Sequence, residues 1–283
     1  MAQFTNQAQL TYNNTVTNSN IAVGEIVGVL TASKTPVTST YTQGDSITYV
    51  LNLVNTGSAA LTGLTVTDDL GAYDLGGNTI YPLTYTDGSV KYFINGVLQS
   101  APTVNSDTGL IISGINVPAD SNATIVYEAT VNQYAPLTEG GEITNTATVS
   151  GGGITPIEAS ATVTTENGPL LTITKAISPI PVAENGTVTY TFTIQNIGNT
   201  AAVATDNVAL TDVFDPILSD VSASFNGVAW TEGAEYTYDD ATGTFASTPG
   251  AITVPAATYT QDPVSGVWQV TPGSVTLVIT GTV

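Results

Sequence analysis

Apolar and polar residues alternate with a period of two through much of this chain. The run Ser46–Val54 (SITYVLNLV) alternates cleanly and stops at Asn55-Thr56-Gly57. Leu61–Asp68, Ala123–Val131 and Glu142–Ser150 follow the same rule, and Lys91–Leu98 holds the hairpin signal Asn95-Gly96. A period of two places alternate side chains on opposite faces of a strand. Short strands broken by Gly, Pro and Asn predict an all-β chain of sandwich type. Ahead of them, Gln3–Tyr12 and Thr15–Ile26 read as two strands around an Asn13-Asn14 turn.

The order of segments then recurs. Leu171–Asn199 (LTITKAISPIPVAENGTVTYTFTIQNIGN) matches Leu30–Ser58. VALTDVF matches GLTVTDDL, SFNGVAW matches YFINGVL, and ITVPA matches INVPA. The first repeat closes with ITNTATVS (Ile143–Ser150), but the second stops at Val283, at the point equivalent to Val131. That closing pattern stands instead at the N-terminus, with Phe4 for Ile143, Asn6 for Asn145, Ala8 for Ala147 and Leu10 for Val149. Asn145 precedes Lys175 by 30 positions and Asn6 precedes Lys34 by 28, so the junctions repeat as well. The reading is an N-terminal donor strand or hairpin at 1–27, one sandwich at 28–166, and a second sandwich at 167–283 that lacks its last strand. The second repeat also carries an insertion, roughly Thr258–Gly273, with Trp268 inside it.

Composition narrows the function. Three lysines and no arginine against 23 acidic residues give a net charge of −20, which repels phosphate backbones and anionic membrane surfaces. Nucleic acid and membrane insertion are excluded as expected partners. With no Cys and no His, the usual general base, metal ligand and thiol nucleophile are all missing. No enzyme activity, cofactor or metal is expected. Acidic loops at Thr67–Asp74 and Tyr238–Asp240 lack EF-hand spacing and read better as solvated turns than as calcium sites. The start has neither a basic n-region nor an apolar h-region, so synthesis without a signal peptide is the expectation.

At the lysine-bearing strand ending in N-T-G or N-x-G, the V-x-D type strand and the closing N-T-A-T-V strand, the sequence resembles the bacterial conserved repeat domain, also called domain of unknown function eleven. The resemblance covers both repeats, except that the second lacks the closing strand. It implies immunoglobulin-like sandwiches and a structural role in a cell-surface protein or a clostridial spore appendage. The missing leader fits the spore case better.

Strand parity draws attention to three residue types. Lys34 shares a face with Leu30 and Ala32, and Lys175 with Leu171 and Ile173. Asp68 and Asp212 share theirs with Val66 and Leu210, and Asn145 lies with Ile143, Ala147 and Val149. Each sandwich thus offers an inward Lys, Asp and Asn. These positions resemble the family's triad for a spontaneous Lys-Asn isopeptide bond. Burial lowers a lysine pKa and raises that of an aspartic acid, so a neutral amine and a protonated acid can coexist. The acid then polarises the carboxamide, the amine attacks and ammonia leaves. The expected sets are Lys34, Asp68 and Asn145 within one chain, and Lys175 and Asp212 with Asn6 from the next subunit. The bland alternative is a buried Lys-Asp ion pair with Asn bonded to backbone. Pairing with turn residues Asn55 or Asn196 is disfavoured, because such turns select Asn anyway.

The predicted partner is therefore another copy of the chain. Donation of Phe4, Asn6, Ala8 and Leu10 closes the neighbour's sandwich, and head-to-tail contacts that do not form a ring give a filament. Two rivals remain: a surface adhesin or spacer module, and a carbohydrate-binding protein using Trp230, Trp268 and the tyrosines.

Overall fold

The computed structural model describes residues 2–26 and 28–283. Nearly every element is a strand, and the one helical element among the described residues is the 3-10 turn Ala204–Asp206. The all-β class follows from the alternation of the sequence. No helix among the described residues is long and apolar enough to cross a membrane. Two compact units divide the chain, Met1–Asn132 with Ile143–Val163, and Gln133–Glu142 with Thr164–Val283.

Unit 1 has the two-layer antiparallel architecture of an immunoglobulin-like domain. In one sheet the lysine strand Leu30–Pro36 pairs with Ser46–Asn55, which pairs with Ser121–Val131. In the other, the aspartate strand Leu61–Asp68 lies between Leu110–Val117 and the asparagine strand Glu142–Ser150. A return strand, Ile157–Thr165, flanks the asparagine strand and is followed by the short Thr40–Tyr41. Ile47, Tyr49, Leu51 and Leu53 from the first sheet, with Leu64, Val66, Ile112 and Val149 from the second, are buried to 1% exposure or less. Alternation explains this, since each contributes one apolar face to a shared core. Asn95 and Gly96 sit at φ 47° and 78°, the left-handed pair that a two-residue hairpin turn needs.

Unit 2 repeats the first sheet with matching register. Lys34 faces Leu51 across its ladder, and Lys175 faces Phe192. Tyr49 faces Tyr127, and Tyr190 faces Ile279. The second sheet differs. Where unit 1 has six strands, unit 2 has three, in the order Thr211–Val213, Thr244–Ser247, Tyr236–Asp239. Its core includes Phe192, Leu210, Phe214, Phe245, Leu277 and Ile279. Residues Thr258–Gln261 and Trp268–Thr271 of the insertion form a hairpin of their own.

Residues 2–26 form a two-stranded arm. Ala2–Asn6 pairs with Ala22–Ile26 and Gln9–Tyr12 with Thr15–Asn18, around Asn13 and Asn14 at φ 44° and 62°. Met1 and Val27, the ends of the segment expected at 1–27, lie outside the described residues. Between the two paired stretches the second strand gains one residue, a bulge near Asn20 and Ile21.

Candidate functional site

The three residues expected to act together in unit 1 converge in its core. The lysine strand points Lys34 inward, and its Nζ lies 2.6 Å from Asp68 Oδ2 with both side chains at 0% exposure. Asp68 Oδ1 accepts the backbone N–H of Leu70 at 3.1 Å, which fixes the carboxylate at the end of its strand. Asn145 is buried to 0% exposure. Its Nδ2 donates to the Tyr127 hydroxyl at 3.1 Å, and that hydroxyl donates to Asp68 Oδ2 at 2.5 Å. Asn145 Oδ1 has no hydrogen-bond partner among the described residues. A buried acceptor left open is costly, and here it is the carbonyl oxygen of the carboxamide expected to react.

Two aromatic rings enclose the amine. Lys34 Nζ is 4.9 Å from the Tyr49 ring centre and 5.8 Å from that of Tyr127, and the rings stack at 5.5 Å. Burial holds the Lys34 amine below its ordinary value of 10.5, against the opposing pull of Asp68. Burial also pushes the phenols of Tyr49 and Tyr127 up. Lowering the pKa of an amine enlarges its neutral share, the form in which nitrogen acts as a nucleophile.

A continuous chain of polar atoms therefore runs from Lys34 Nζ through Asp68 Oδ2 and the Tyr127 hydroxyl to Asn145 Nδ2. In unit 1 that chain offers a route for amide formation. The amine nitrogen would bond to Asn145 Cγ as the Cγ–Nδ2 bond breaks. The proton shed by the neutral amine would pass by way of Asp68 and Tyr127 to Nδ2, which would depart as ammonia. Tyr127 and Tyr49 were not singled out in the sequence. The parity of Ser121–Val131, with Ile125, Tyr127 and Ala129 on one face, was the available signal.

In unit 2, Lys175 pairs with Asp212, with side chains 40% and 20% exposed. Lys175 Nζ lies over Tyr190 at 4.6 Å and Phe214 at 5.2 Å, so it points to the core side as parity requires. That side is open: Ile173 and Ile177 on the same strand are 54% and 39% exposed. The register partner of Tyr190 is Ile279, so no hydroxyl stands where Tyr127 stands in unit 1. Asn6, expected to serve this site, lies in the arm opposite Ala22 and is exposed, as are Phe4, Ala8 and Leu10.

The disfavoured asparagines are engaged elsewhere. Asn55 Nδ2 donates to the carbonyls of Ala59, Val117 and Pro118, and Oδ1 accepts from Gly57 N–H. Asn196 does the same with Thr200, Pro255 and Gly198. Carboxylates of the acidic loops are engaged by protein donors: Asp69 Oδ1 accepts the backbone N–H groups of Gly71 and of Thr146 on the asparagine strand, and Asp239 accepts from the Ala241 N–H and the Thr242 hydroxyl. Trp230 stacks on Phe225 at 5.4 Å.

No family model matches the chain, and no curated protein does. Among solved structures it is similar to the C-terminal domain of the Streptococcus agalactiae AgI/II polypeptide BspA, with 12% identity over 89% of this chain and 91% of that one and a TM-score of 0.38. The major pilin subunit BcpA of Bacillus cereus gives 11% identity, 96% and 73% coverage and a TM-score of 0.36. The pilus backbone RrgB of Streptococcus pneumoniae gives 12%, 86% and 55%, and 0.34. Likeness this remote sets no function for the chain.

Proposed function

We propose that this chain is a non-enzymatic structural subunit that assembles head-to-tail with copies of itself into a filament or appendage on a cell or spore surface. The arm of one copy completes unit 2 of the next. Lys34 and Asn145 form an isopeptide bond within the chain, and Lys175 and Asn6 form one between chains, with Asp68 and Asp212 as the respective acids. No cofactor takes part.

The observation that carries this reading is a complementary pair of exposures. Phe4 and Leu10 are 56% and 68% exposed, whereas their unit 1 counterparts Ile143 and Val149 are 2% and 0% exposed. On the acceptor side, Ile173, Ile177 and Lys175 are open to solvent in unit 2. Burying Phe4 and Leu10 contributes about 1.5 to 3 kcal/mol each, and ladder hydrogen bonds add to that. The same burial would put Lys175 and Asp212 into the dry surroundings that Lys34 and Asp68 already occupy. Amide formation replaces the lysine amine with a neutral amide and so relieves the cost of burying its charge.

Deletion of residues 1–12, followed by sedimentation and electron microscopy, tests the reading. Soluble monomers are expected where the intact chain forms filaments. Filaments of the truncated chain would rule strand donation out.

A further inference from the structure

We propose that the donated element is the whole N-terminal hairpin, that its acceptor is unit 2 of a second copy, and that it seats in one register, with Ala8 opposite Asp212, Gln9 opposite Thr211 and Leu10 opposite Leu210. The inference deepens the function proposed above and rests on it.

Three features of the two units specify the fit. The first is the register of the arm itself. In unit 1 the asparagine and return strands form a hairpin, tied across by Thr144 to Thr162 at 2.8 Å and Thr146 to Ser160 at 2.9 Å. Asn145 therefore lies opposite Ala161, and Ile143 opposite Val163. In the arm Asn6 pairs with Ala22 and Phe4 with Gly24. One shift of 139 positions carries the pairs Asn145/Ala161 and Ile143/Val163 onto Asn6/Ala22 and Phe4/Gly24, up to the bulge near Asn20 and Ile21, beyond which Gln9 pairs with Asn18. A match confined to a single strand would not reproduce the cross-strand pairs.

The second feature is the edge that receives it. The unit 1 aspartate strand pairs on one side with Leu110–Val117, and on the other with the asparagine strand through Ala147 to Asp68, Thr148 to Thr67 and Val149 to Val66. In unit 2 the strand Thr211–Val213 pairs with Thr244–Ser247, including Asp212 to Phe245. Among the described residues its other side carries no strand. Transferring the unit 1 ladder onto that side gives the stated register. A lone donated strand would expose a new edge, whereas a hairpin brings its own covering strand. In unit 1 that covering strand runs beside Thr40–Tyr41, whose counterpart in unit 2 is Pro181-Val182.

The third feature identifies the occupant as a second copy. The hairpin of residues 142–165 completes unit 1 and leads, from Thr165 to Leu171, into the lysine strand of unit 2. The arm leads in the same way, from Ile26 to Leu30, into the lysine strand of unit 1. Each hairpin is thus fitted to the unit before the one it leads into. Among the described residues the open aspartate edge belongs to unit 2, which follows the unit the arm leads into; in the order that the hairpins repeat, the acceptor is therefore unit 2 of another copy. Taken by itself, a two-stranded ribbon is marginal in water, and this one exposes Phe4, Leu10, Tyr12, Val16, Ile21 and Val23.

The chain has no cysteine, so engineered pairs report cleanly. In a Lys175→Ala background, Gln9→Cys with Thr211→Cys should give disulfide-linked multimers on oxidation that collapse to monomer on reduction. Gln7→Cys or Thr11→Cys with Thr211→Cys should lose that product, because pairs two residues out of register lie about 7 to 8 Å apart, beyond disulfide reach. Hydrogen exchange on assembled wild type should slow in residues 15–26 together with residues 3–12. Closure of the Gln9/Thr211 pair within a monomer, stronger linkage of an off-register pair, or fast exchange at 15–26 beside a protected 3–12 would overturn the proposal while leaving self-assembly intact. Wild type that forms no multimers at all would instead remove the underlying reading.

Discussion

Tyr127→Phe isolates the one hydroxyl that joins the acid to the leaving group. The substitution keeps the ring, its 5.5 Å stack on Tyr49 and nearly all of its volume, so packing is retained. Two hydrogen bonds are lost, the 2.5 Å bond to Asp68 and the 3.1 Å bond from Asn145 Nδ2. Leaving the carboxamide nitrogen unsatisfied in the core costs about 1 to 3 kcal/mol in the unlinked chain, which a sandwich of this size withstands. The larger effect is kinetic. A positioned acid-base group contributes about 10² to 10⁴ in rate, so linkage of Lys34 to Asn145 should slow by about 10² or more. Intact mass against time after synthesis, with peptide mapping, reads the loss of one ammonia per bond. Unit 2 supplies an internal control, since Ile279 stands at the corresponding position and the Lys175–Asn6 bond should not respond to the change. Loss of ammonia from unit 1 at the wild-type rate would refute the relay.

Asp68→Ala should abolish ammonia loss from unit 1 and destabilise it by about 3 to 5 kcal/mol in chemical denaturation, because Lys34 is left buried without a counter-charge; a fully linked variant would remove Asp68 from the mechanism. In Asn145→Ala no bond forms and Lys34 keeps its amine. Since burial holds that amine below 10.5, the unfolded chain binds more protons between the folded value and 10.5, and stability rises with pH there. The Tyr49 and Tyr127 phenols, held above their ordinary value of 10, act oppositely once pH passes about 10. Melting temperature in Asn145→Ala should therefore climb and then fall across the alkaline range, while the linked wild type, with no free Lys34 amine, only falls; identical profiles would contradict the linkage. Copies of a chain with net charge −20 repel one another, and salt screens that repulsion. Assembly followed by light scattering should speed up as salt rises, and slowing would indicate a charge-paired joint.

The period-two runs made the principal strands legible, because one face of each is buried and alternation records that burial. Leu61–Asp68 and Glu142–Ser150 have the bounds their patterns predict. Ile157–Thr165 was missed because its inward residues are Ala159, Ala161, Val163 and Thr165, too small and polar to give a strong alternation. Without that strand only the first strand of the arm has a counterpart in unit 1, so the donor positions legible in the segment 1–27 are Phe4, Asn6, Ala8 and Leu10. Lys34, Asp68 and Asn145 were legible because charged and amide side chains at inward parity contradict an apolar face. Tyr127 was not, since a tyrosine on an inward face satisfies the apolar pattern, and its hydrogen bonds depend on residues distant in sequence. The exposure of Lys175 was equally hidden from parity, which gives the direction of a side chain and not whether anything covers it.

Boiling the assembled protein in detergent tests the central claim most directly. A ladder of covalent multimers should survive, persist in Lys34→Ala, and vanish in Lys175→Ala and in Asn6→Ala. Complete dissociation of the wild-type assembly to monomer would contradict the covalent joint between copies.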